Sequence, residues 1–274
     1  MITGDYTFDM NAATAGSGHE YGDTYSISNE PLNWAIPLTP VVGRRVLTVA
    51  ASGDQPLMYA AHGAKQIDTF DLTYNAHVIT DFKTTALRFV DCDKYKAIVS
   101  QLYNLIVTDR KHHDALHNII RNMPADTGAA MTQFLKASPS VFCREEAGRR
   151  VPFPVDDAQY AAMRKNVHRP FNFVWADLMR VPQHLTQQYD IINISNIFDH
   201  YRMADRSDTE IVRTLAQLWP HIAVNGHLVC MGMYHFNGVL GLLESAVTNS
   251  GMGTAKLHES PEDFWQALII QKVR

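Results

Sequence analysis

The polar side chains best suited to chemistry in this sequence stand at the ends of predicted β-strands. A strand at residues 46–50 runs into the turn Ala-Ser-Gly-Asp at 51–54, and Asp71 ends a second strand. Asp177 ends a third strand, and Asn196 follows a fourth. Because ligands of an open parallel sheet bind beyond the carboxyl ends of its strands, these four positions predict one binding site.

Each position offers a different contact to a nucleoside. Small residues let the turn approach a ligand, Gly53 permits a dihedral angle that other residues resist, and the next helix directs its N-terminal amides to the same space. Asp71 could accept hydrogen bonds from two ribose hydroxyls, Asp177 from an adenine amino group, and Asn196 could both donate and accept. Taken singly, each position is also explained by strand–helix packing or helix capping; their combination favours a nucleoside site.

The kind of nucleoside follows from motifs that the sequence lacks. It contains neither G-x-G-x-x-G nor G-K-[ST], which argues against a nicotinamide cofactor and against a P-loop nucleotide. The remaining common ligand of such a sheet is S-adenosylmethionine (SAM), whose amino and carboxylate groups are small enough for an open turn.

The elements that must position these residues alternate between strand and helix, which predicts an α/β fold with a doubly wound, mostly parallel sheet. Strands are predicted at 46–50, 65–73, 171–178, 225–235 and 263–273, with a strand running into a turn at 189–201. Helices are predicted at 56–62, 75–90, 207–222 and 239–251. Further helices near 93–107, 113–122, 129–136 and 157–166 form a helical insertion at 91–168, between the second and third core strands. We expect residues 1–40 to form an N-terminal arm or lid and 41–274 to form the SAM-binding domain.

Composition narrows the class of protein. The 274 residues are 46% hydrophobic and 19% charged, as in globular proteins, and the net charge of −4 gives no electrostatic case for nucleic acid. There is no secretory leader or apolar membrane span, and no C-x-x-C pair among three cysteines, so we expect a cytoplasmic protein. His113 and His117 have the spacing of a zinc pair, but without an evident third ligand we expect no metal. The sequence leaves the oligomeric state open.

Three blocks of the sequence resemble a known family. They are "VLTVAASGDQPL" (46–57), "GAKQIDTFDLTYNAHVITDFKTTAL" (63–87) and "YDIINISNIFDH" (189–200). Together they are similar to the SAM-dependent family of the diacylglycerol 3-amino-3-carboxypropyl transferases of betaine-lipid synthesis, whose smaller relatives cyclise SAM to azetidine-2-carboxylate. The resemblance covers about residues 21–235.

The resemblance implies a class I methyltransferase-like fold and SAM as substrate. It also implies that the 3-amino-3-carboxypropyl group moves and that methylthioadenosine is released. The methionine part would be faced by Ser52, Gly53 and Asp54. The ribose would be faced by Asp71 and Asn75, and the adenine by Asp177. The full set of SAM-binding residues that we predict is Ala51, Ser52, Gly53, Asp54, Asp71, Leu72, Asn75, Asp177, Leu178 and Ser195.

The catalytic candidates follow the fourth strand. An amine nucleophile must lose a proton, so a nearby base helps, and a tyrosine ring can hold a sulfonium by a cation–π contact worth roughly 0.5–2 kcal/mol. The candidates are Asn196, Asp199, His200 and Tyr201, with Tyr25 as part of a lid. An ordinary turn with a helix cap and a surface histidine explains the same residues.

We therefore predict a SAM-dependent aminocarboxypropyl transferase that acts on a small soluble acceptor or on SAM itself. The alternatives are a small-molecule methyltransferase, which would use the same pocket, and a SAM- or nucleoside-binding protein without catalysis.

Overall fold

The strands form one large sheet and one small strand pair. The computed structural model describes residues 2–4, 24–25, 28, 30–100, 102, 112–137, 143–144, 156–168, 170–233, 238–261 and 264–273. Its strands are β1 (Ile2–Gly4), β2 (Thr24–Tyr25), β3 (Arg45–Val49), β4 (Gln66–Asp71), β5 (Cys143–Arg144), β6 (Asn172–Trp175), β7 (Tyr189–Ser195), β8 (Ile222–Met233), β9 (Gly253–Glu259) and β10 (Trp265–Lys272). β2 pairs with β5, and the other eight strands form the sheet.

The order of strands in the sheet is β1-β6-β4-β3-β7-β8-β10-β9. Every neighbouring pair from β1 to β8 is parallel, whereas β10 is antiparallel to both β8 and β9. The α/β prediction is thus confirmed, and the sheet is mixed because one strand is reversed.

Helices connect the strands and cover both faces. They are α1 (Leu32–Ala35), α2 (Asp54–Ala61), α3 (Tyr74–Phe89), α4 (Cys92–Ser100), α5 (His113–Arg121), α6 (Ala125–Ala137), α7 (Asp157–Asn166), α8 (Val181–His184), α9 (Ile197–Met203), α10 (Asp208–Leu218) and α11 (Gly238–Ser250). Between β4 and β6 the chain forms α3 to α7. Residues 103–111, in which the predicted helix at 93–107 was expected to end, lie outside the described part.

The core has two layers because successive strand residues point to opposite faces. In β3, Val46 belongs to a buried cluster with Leu57 of α2 and Phe82 of α3, while Leu47 belongs to a second cluster with α10 and α11. Alternation of apolar residues therefore fixes which face each helix covers.

The structure differs from the sequence prediction at three places. Residues 2–4 form an edge strand beside β6 instead of part of a loose arm. Residues 197–203 form α9 instead of a turn, because Asn196 begins a helix whose first N–H groups bond back to its carbonyl oxygen. β9 was not predicted at all, since its residues alternate between half-buried and exposed without an apolar face.

The division of the chain near residue 40 stays a prediction. Residues 32, 35 and 36 are buried in the main hydrophobic cluster, so this part of the proposed arm packs on the α/β core.

Candidate functional site

The candidate site lies at the carboxyl edge of the sheet, between β3 and β7. From β3 the chain continues to β4 on one side, and from β7 it continues to β8 on the other. Such a reversal of direction opens a crevice in which ligands of α/β sheets bind. The turn at residues 51–53 follows β3, and Ser195 and Asn196 end β7, so the predicted residues of both strands meet there.

The turn after β3 has an unusual backbone. Ala51 has a φ of 46° and Gly53 a φ of 82°, both in the left-handed region. A Cβ atom on Gly53 would lie 3.1 Å from Cα of Thr80 and 3.3 Å from Cδ of Lys83. Gly53 is therefore required twice, by its dihedral angle and by the close approach of α3.

Asp71 ties this turn to the end of β4. Its Oδ2 accepts a hydrogen bond from the N–H of Ala51 at 2.9 Å, and its Oδ1 accepts from the N–H of Thr73 at 2.9 Å and from the Thr73 hydroxyl at 3.1 Å. Burial raises the pKa of Asp71, and these hydrogen bonds oppose that effect. The carboxylate thus lies where the sequence predicted it, already held in one orientation.

A buried ion pair lies beneath the turn. The ammonium of Lys83 contacts the carboxylate of Asp54, and both side chains are at most 1% exposed. Asp54 also accepts hydrogen bonds from the Ser52 hydroxyl at 3.0 Å and from the N–H of Ser28 at 2.7 Å. Because a buried charge is stable only with close partners, this cluster fixes the start of α2 rigidly.

A second carboxylate reaches the crevice from the N-terminal segment. Glu30 is 8% exposed and accepts hydrogen bonds from the hydroxyl of Ser195 and the amide of Gln55. Gln55 in turn accepts from the Thr48 hydroxyl at 3.1 Å, and Asn193 Oδ1 accepts from the N–H of Ser195 at 2.9 Å. A connected polar network therefore joins Glu30 to β3 and β7.

Asp177 and Tyr201 form a pair across the loop after β6. The Tyr201 hydroxyl donates to Oδ1 of Asp177, and the N–H of Met179 lies 2.9 Å from the same oxygen and 3.2 Å from the hydroxyl. Burial and the neighbouring carboxylate raise the pKa of Tyr201, so the phenol stays protonated. Tyr201 thereby acts as a hydrogen-bond donor to Asp177.

Asp199 lies against β8. Its Oδ2 accepts a hydrogen bond from the N–H of Met233 at 3.1 Å, and a Cβ atom on Gly232 would lie 3.3 Å from Oδ1. Burial raises the pKa of Asp199 to about 6. The carboxylate can therefore change its charge near neutral pH, as a general base must. His200, the next residue, is exposed.

The other predicted residues are placed as follows. The carbonyl oxygen of Leu72 accepts from the Trp175 indole at 3.0 Å, Asn75 is fully buried in the first turn of α3, and Leu178 is 3% exposed. Asn196 begins α9, and its Oδ1 lies 3.2 Å from the Ser195 hydroxyl oxygen, which donates its proton to Glu30. Tyr25 is part of β2, and its side chain lies outside the described part.

Sequence reasoning missed Glu30, Gln55, Lys83 and Asn193. Glu30 stands in a stretch without a recognisable motif. Lys83 carried a usable signal: on α3 it lies one turn from both Ile79 and Leu87, on the apolar stripe, which indicates a buried cation.

Two further features concern metal ions and membranes. Within the described ranges, no three His, Cys, Asp or Glu side chains come together as a metal site would require. Nor does any helix in those ranges have the length and apolarity needed to cross a membrane.

No protein-family model matches the chain, and no curated protein is significantly similar in sequence. Several solved structures align with most of the chain at low sequence identity. The N-methyltransferase NodS from Bradyrhizobium japonicum is 9% identical, with 89% of this chain and 94% of that chain covered and a TM-score of 0.45. A putative methyltransferase from Streptococcus mutans, in complex with S-adenosylhomocysteine (SAH), is also 9% identical, with 90% and 100% covered and a TM-score of 0.45. A TehB-like SAM-dependent methyltransferase from Corynebacterium glutamicum is 11% identical, with 96% and 92% covered and a TM-score of 0.43.

Proposed function

We propose that this protein is a SAM-dependent transferase that acts on a small molecule. The observation that carries the proposal is the bond between Asp71 and Ala51, which sets a carboxylate beside the turn after β3, at the switch point of the sheet. This pairing of a carboxylate with backbone N–H groups suits a ribose next to an anionic ligand group.

SAM would lie along the carboxyl edge of the sheet. The methionine part would be surrounded by the turn at residues 51–54 and by Ser195. The ribose would lie against Asp71, Leu72 and Asn75. The adenine would lie against Asp177 and Leu178. A carboxylate can accept about four hydrogen bonds, and Asp71 already accepts from backbone N–H groups and from the Thr73 hydroxyl. Ribose would therefore compete with the Thr73 hydroxyl for the carboxylate.

Methyl transfer is the first reaction that we propose. It requires only an acceptor held in line with the sulfonium methyl group, and it leaves SAH. It is also the activity named for the solved structures of similar fold, although that likeness concerns the fold alone.

Transfer of the 3-amino-3-carboxypropyl group is the second candidate. The resemblance of the blocks at 46–57, 63–87 and 189–200 favours it. The attacking nucleophile would displace methylthioadenosine from the γ-carbon, and in a cyclisation that nucleophile is SAM's own amine.

Asp199 is the base that we favour, because its pKa of about 6 lets it accept a proton at neutral pH. Asn196, His200 and Tyr25 remain candidates for positioning the acceptor, with residues 1–40 as an arm or lid. For Tyr201 we propose a role in holding Asp177 instead of a role at the sulfonium.

The test is to incubate the purified protein with SAM, alone and with a metabolite extract, and to identify the nucleoside product by mass spectrometry. SAH supports methyl transfer, and methylthioadenosine supports the second reaction. Methylthioadenosine formed without extract indicates that SAM is its own acceptor. Because SAM also decomposes slowly by itself, an Asp71→Ala sample is the control, and equal product in both samples rejects the proposal.

A further inference from the structure

Glu30 comes early in the sequence, yet its carboxylate contacts residues at the end of β7 and the start of α2. The Ser195 hydroxyl at the end of β7 donates to Oε1, and the Gln55 amide near the start of α2 donates to Oε2. The carboxylate therefore stands between the two strand ends that form the switch point.

The N-terminal segment is fixed in this position by further contacts. The N–H of Ser28 donates to Asp54 at 2.7 Å, and the N–H of Glu30 donates to the Ser28 hydroxyl at 3.2 Å. Asp54 is in turn paired with the buried Lys83. Following Glu30, α1 packs into the core. The position of Glu30 is thus part of the folded core and not an accident of an exposed loop.

The charge of Glu30 suits one part of the proposed ligand. The amino-acid part of SAM carries a carboxylate and an ammonium. The N-terminus of α2 suits the carboxylate. The ammonium needs acceptors, and a buried carboxylate forms a strong, charge-assisted hydrogen bond with it.

We propose that Glu30 binds the ammonium of the amino-acid part of the ligand, with Ser195 and Gln55 orienting its two oxygens. This inference rests on the proposed function, because it takes SAM to be the ligand. Asp54 is less suited to this role, since its carboxylate is engaged by Lys83.

Three ligands that differ in their charged groups distinguish whether Glu30 contacts the ammonium or the sulfonium. SAH keeps the ammonium and lacks the sulfonium, decarboxylated SAM keeps both cations and lacks the carboxylate, and methylthioadenosine has none of these groups. Titration calorimetry with wild type and Glu30→Gln measures each affinity. We expect Glu30→Gln to weaken SAH and decarboxylated SAM by about tenfold or more, the effect of losing a hydrogen bond to a charged group. The affinity for methylthioadenosine stays the same.

Glu244→Gln in α11 is the matched control, because it makes the same chemical change in a different element, and it should alter none of the three affinities. If Glu30→Gln does not fold, wild type alone provides the test. It should bind SAH about tenfold more tightly than the analogue of SAH in which a hydroxyl replaces the amine.

Each other outcome overturns the inference. If SAH binding is unchanged while that of decarboxylated SAM weakens, Glu30 faces the sulfonium. If all three ligands weaken equally, Glu30 supports the site without contacting the ammonium. If wild type binds none of the three, the proposed function itself fails, which is distinct from a failure of Glu30 alone.

Discussion

The hydroxyl of Tyr201 in α9 donates a hydrogen bond to the carboxylate of Asp177 in the loop after β6. The two residues come from opposite sides of the switch point, since β6 and β7 are separated by β4 and β3. The bond joins a residue predicted to contact adenine to one predicted to contact the sulfonium. We propose that Tyr201 thereby has a positioning role, in which it orients Asp177 for the nucleoside.

Tyr201→Phe should weaken SAM binding and leave the chemical step intact. We expect a loss of about threefold to tenfold in affinity, part of the roughly 1.5–3 kcal/mol of a hydrogen bond to a charged group. The turnover number at saturating SAM should change little. Calorimetry and steady-state kinetics measure the two effects.

Tyr189→Phe is the control, because the Tyr189 hydroxyl donates to Asp68 at 2.8 Å from the first residue of β7, far from the site. Tyr189→Phe should lower stability and leave SAM affinity and turnover unchanged. A collapse of turnover in Tyr201→Phe at saturating SAM would instead make Tyr201 a catalytic residue.

Gly53→Ala should damage the turn more than the same change at Gly43. Both glycines have positive φ, so each substitution carries strain of about 1–2 kcal/mol. Only at Gly53 would the new methyl group meet α3, because no atom lies within 4 Å at Gly43. Thermal melts and SAM titrations should show the larger loss of both stability and affinity at Gly53. Equal losses at Gly53 and Gly43 would mean that α3 shifts away from the new methyl group without a further loss of stability.

The parts of the fold that depend on local pattern could be predicted from sequence. Ser207 and Glu210, three residues apart in the sequence, form a capping box at the start of α10, with the Glu210 N–H 3.3 Å from the Ser207 hydroxyl and the Ser207 N–H 2.9 Å from the Glu210 carboxylate. Likewise β3 and β4 follow runs of β-forming residues. These features are set by neighbours in the chain, which a sequence displays directly.

The central contacts of the candidate site could not be predicted in this way. Glu30 and Ser195 are separated by 165 positions, and no local pattern indicates their contact. The position of Lys83 on the apolar stripe of α3 indicates that it is buried, but no local pattern indicates that Asp54 is its partner. The predicted turn at 197–201 is a helix for a related reason, since the helical backbone is stabilised by the packing of Phe198 and Tyr201 in the core.

Asp199 should give the activity an acidic limit near pH 6. Burial raises the pKa of its carboxyl from 3.8 to about 6, and only the ionised form can accept a proton. As pH falls below 6, kcat/KM should therefore decrease about tenfold per pH unit. Asp199→Asn should have low activity that does not decrease further below pH 6. If kcat/KM of Asp199→Asn still decreases tenfold per pH unit below pH 6, another group accepts the proton.

Asp81 should make the fold less stable at alkaline pH. Burial raises its pKa to about 7, while the neighbouring His77, 3.6 Å away, has a pKa lowered to about 3 and stays neutral. At Asp81 the folded state binds more protons than the unfolded chain between pH 3.8 and about 7, so the contribution of this carboxyl to stability falls as pH rises through this window. His77 acts in the opposite direction between about pH 3 and 6.5, because its pKa is lowered in the folded state, so the contribution of Asp81 is isolated by comparison with a variant that lacks the carboxyl.

Asp81→Asn removes that dependence, because the amide is neutral at every pH and can keep the bond from the Thr127 hydroxyl. At pH 8 it should raise Tm by at least about 2 °C, the shift that roughly 1 kcal/mol produces in a chain of this size. At pH 5 the gain should be smaller. Asp93→Asn, at an exposed position in α4, is the control. An equal shift at both pH values would show that Asp81 is already ionised in the folded protein at pH 5.

The central claim is that SAM binds at the switch point with its ribose on Asp71. Titration calorimetry of SAM into wild type, Asp71→Asn and the surface control Asp93→Asn tests it most directly, with thermal melts to confirm that each variant is folded. We predict binding to wild type and to Asp93→Asn, and an affinity at least about tenfold weaker for Asp71→Asn, as for loss of a charged hydrogen bond. No binding to wild type, or equal affinity in all three proteins, would contradict the account.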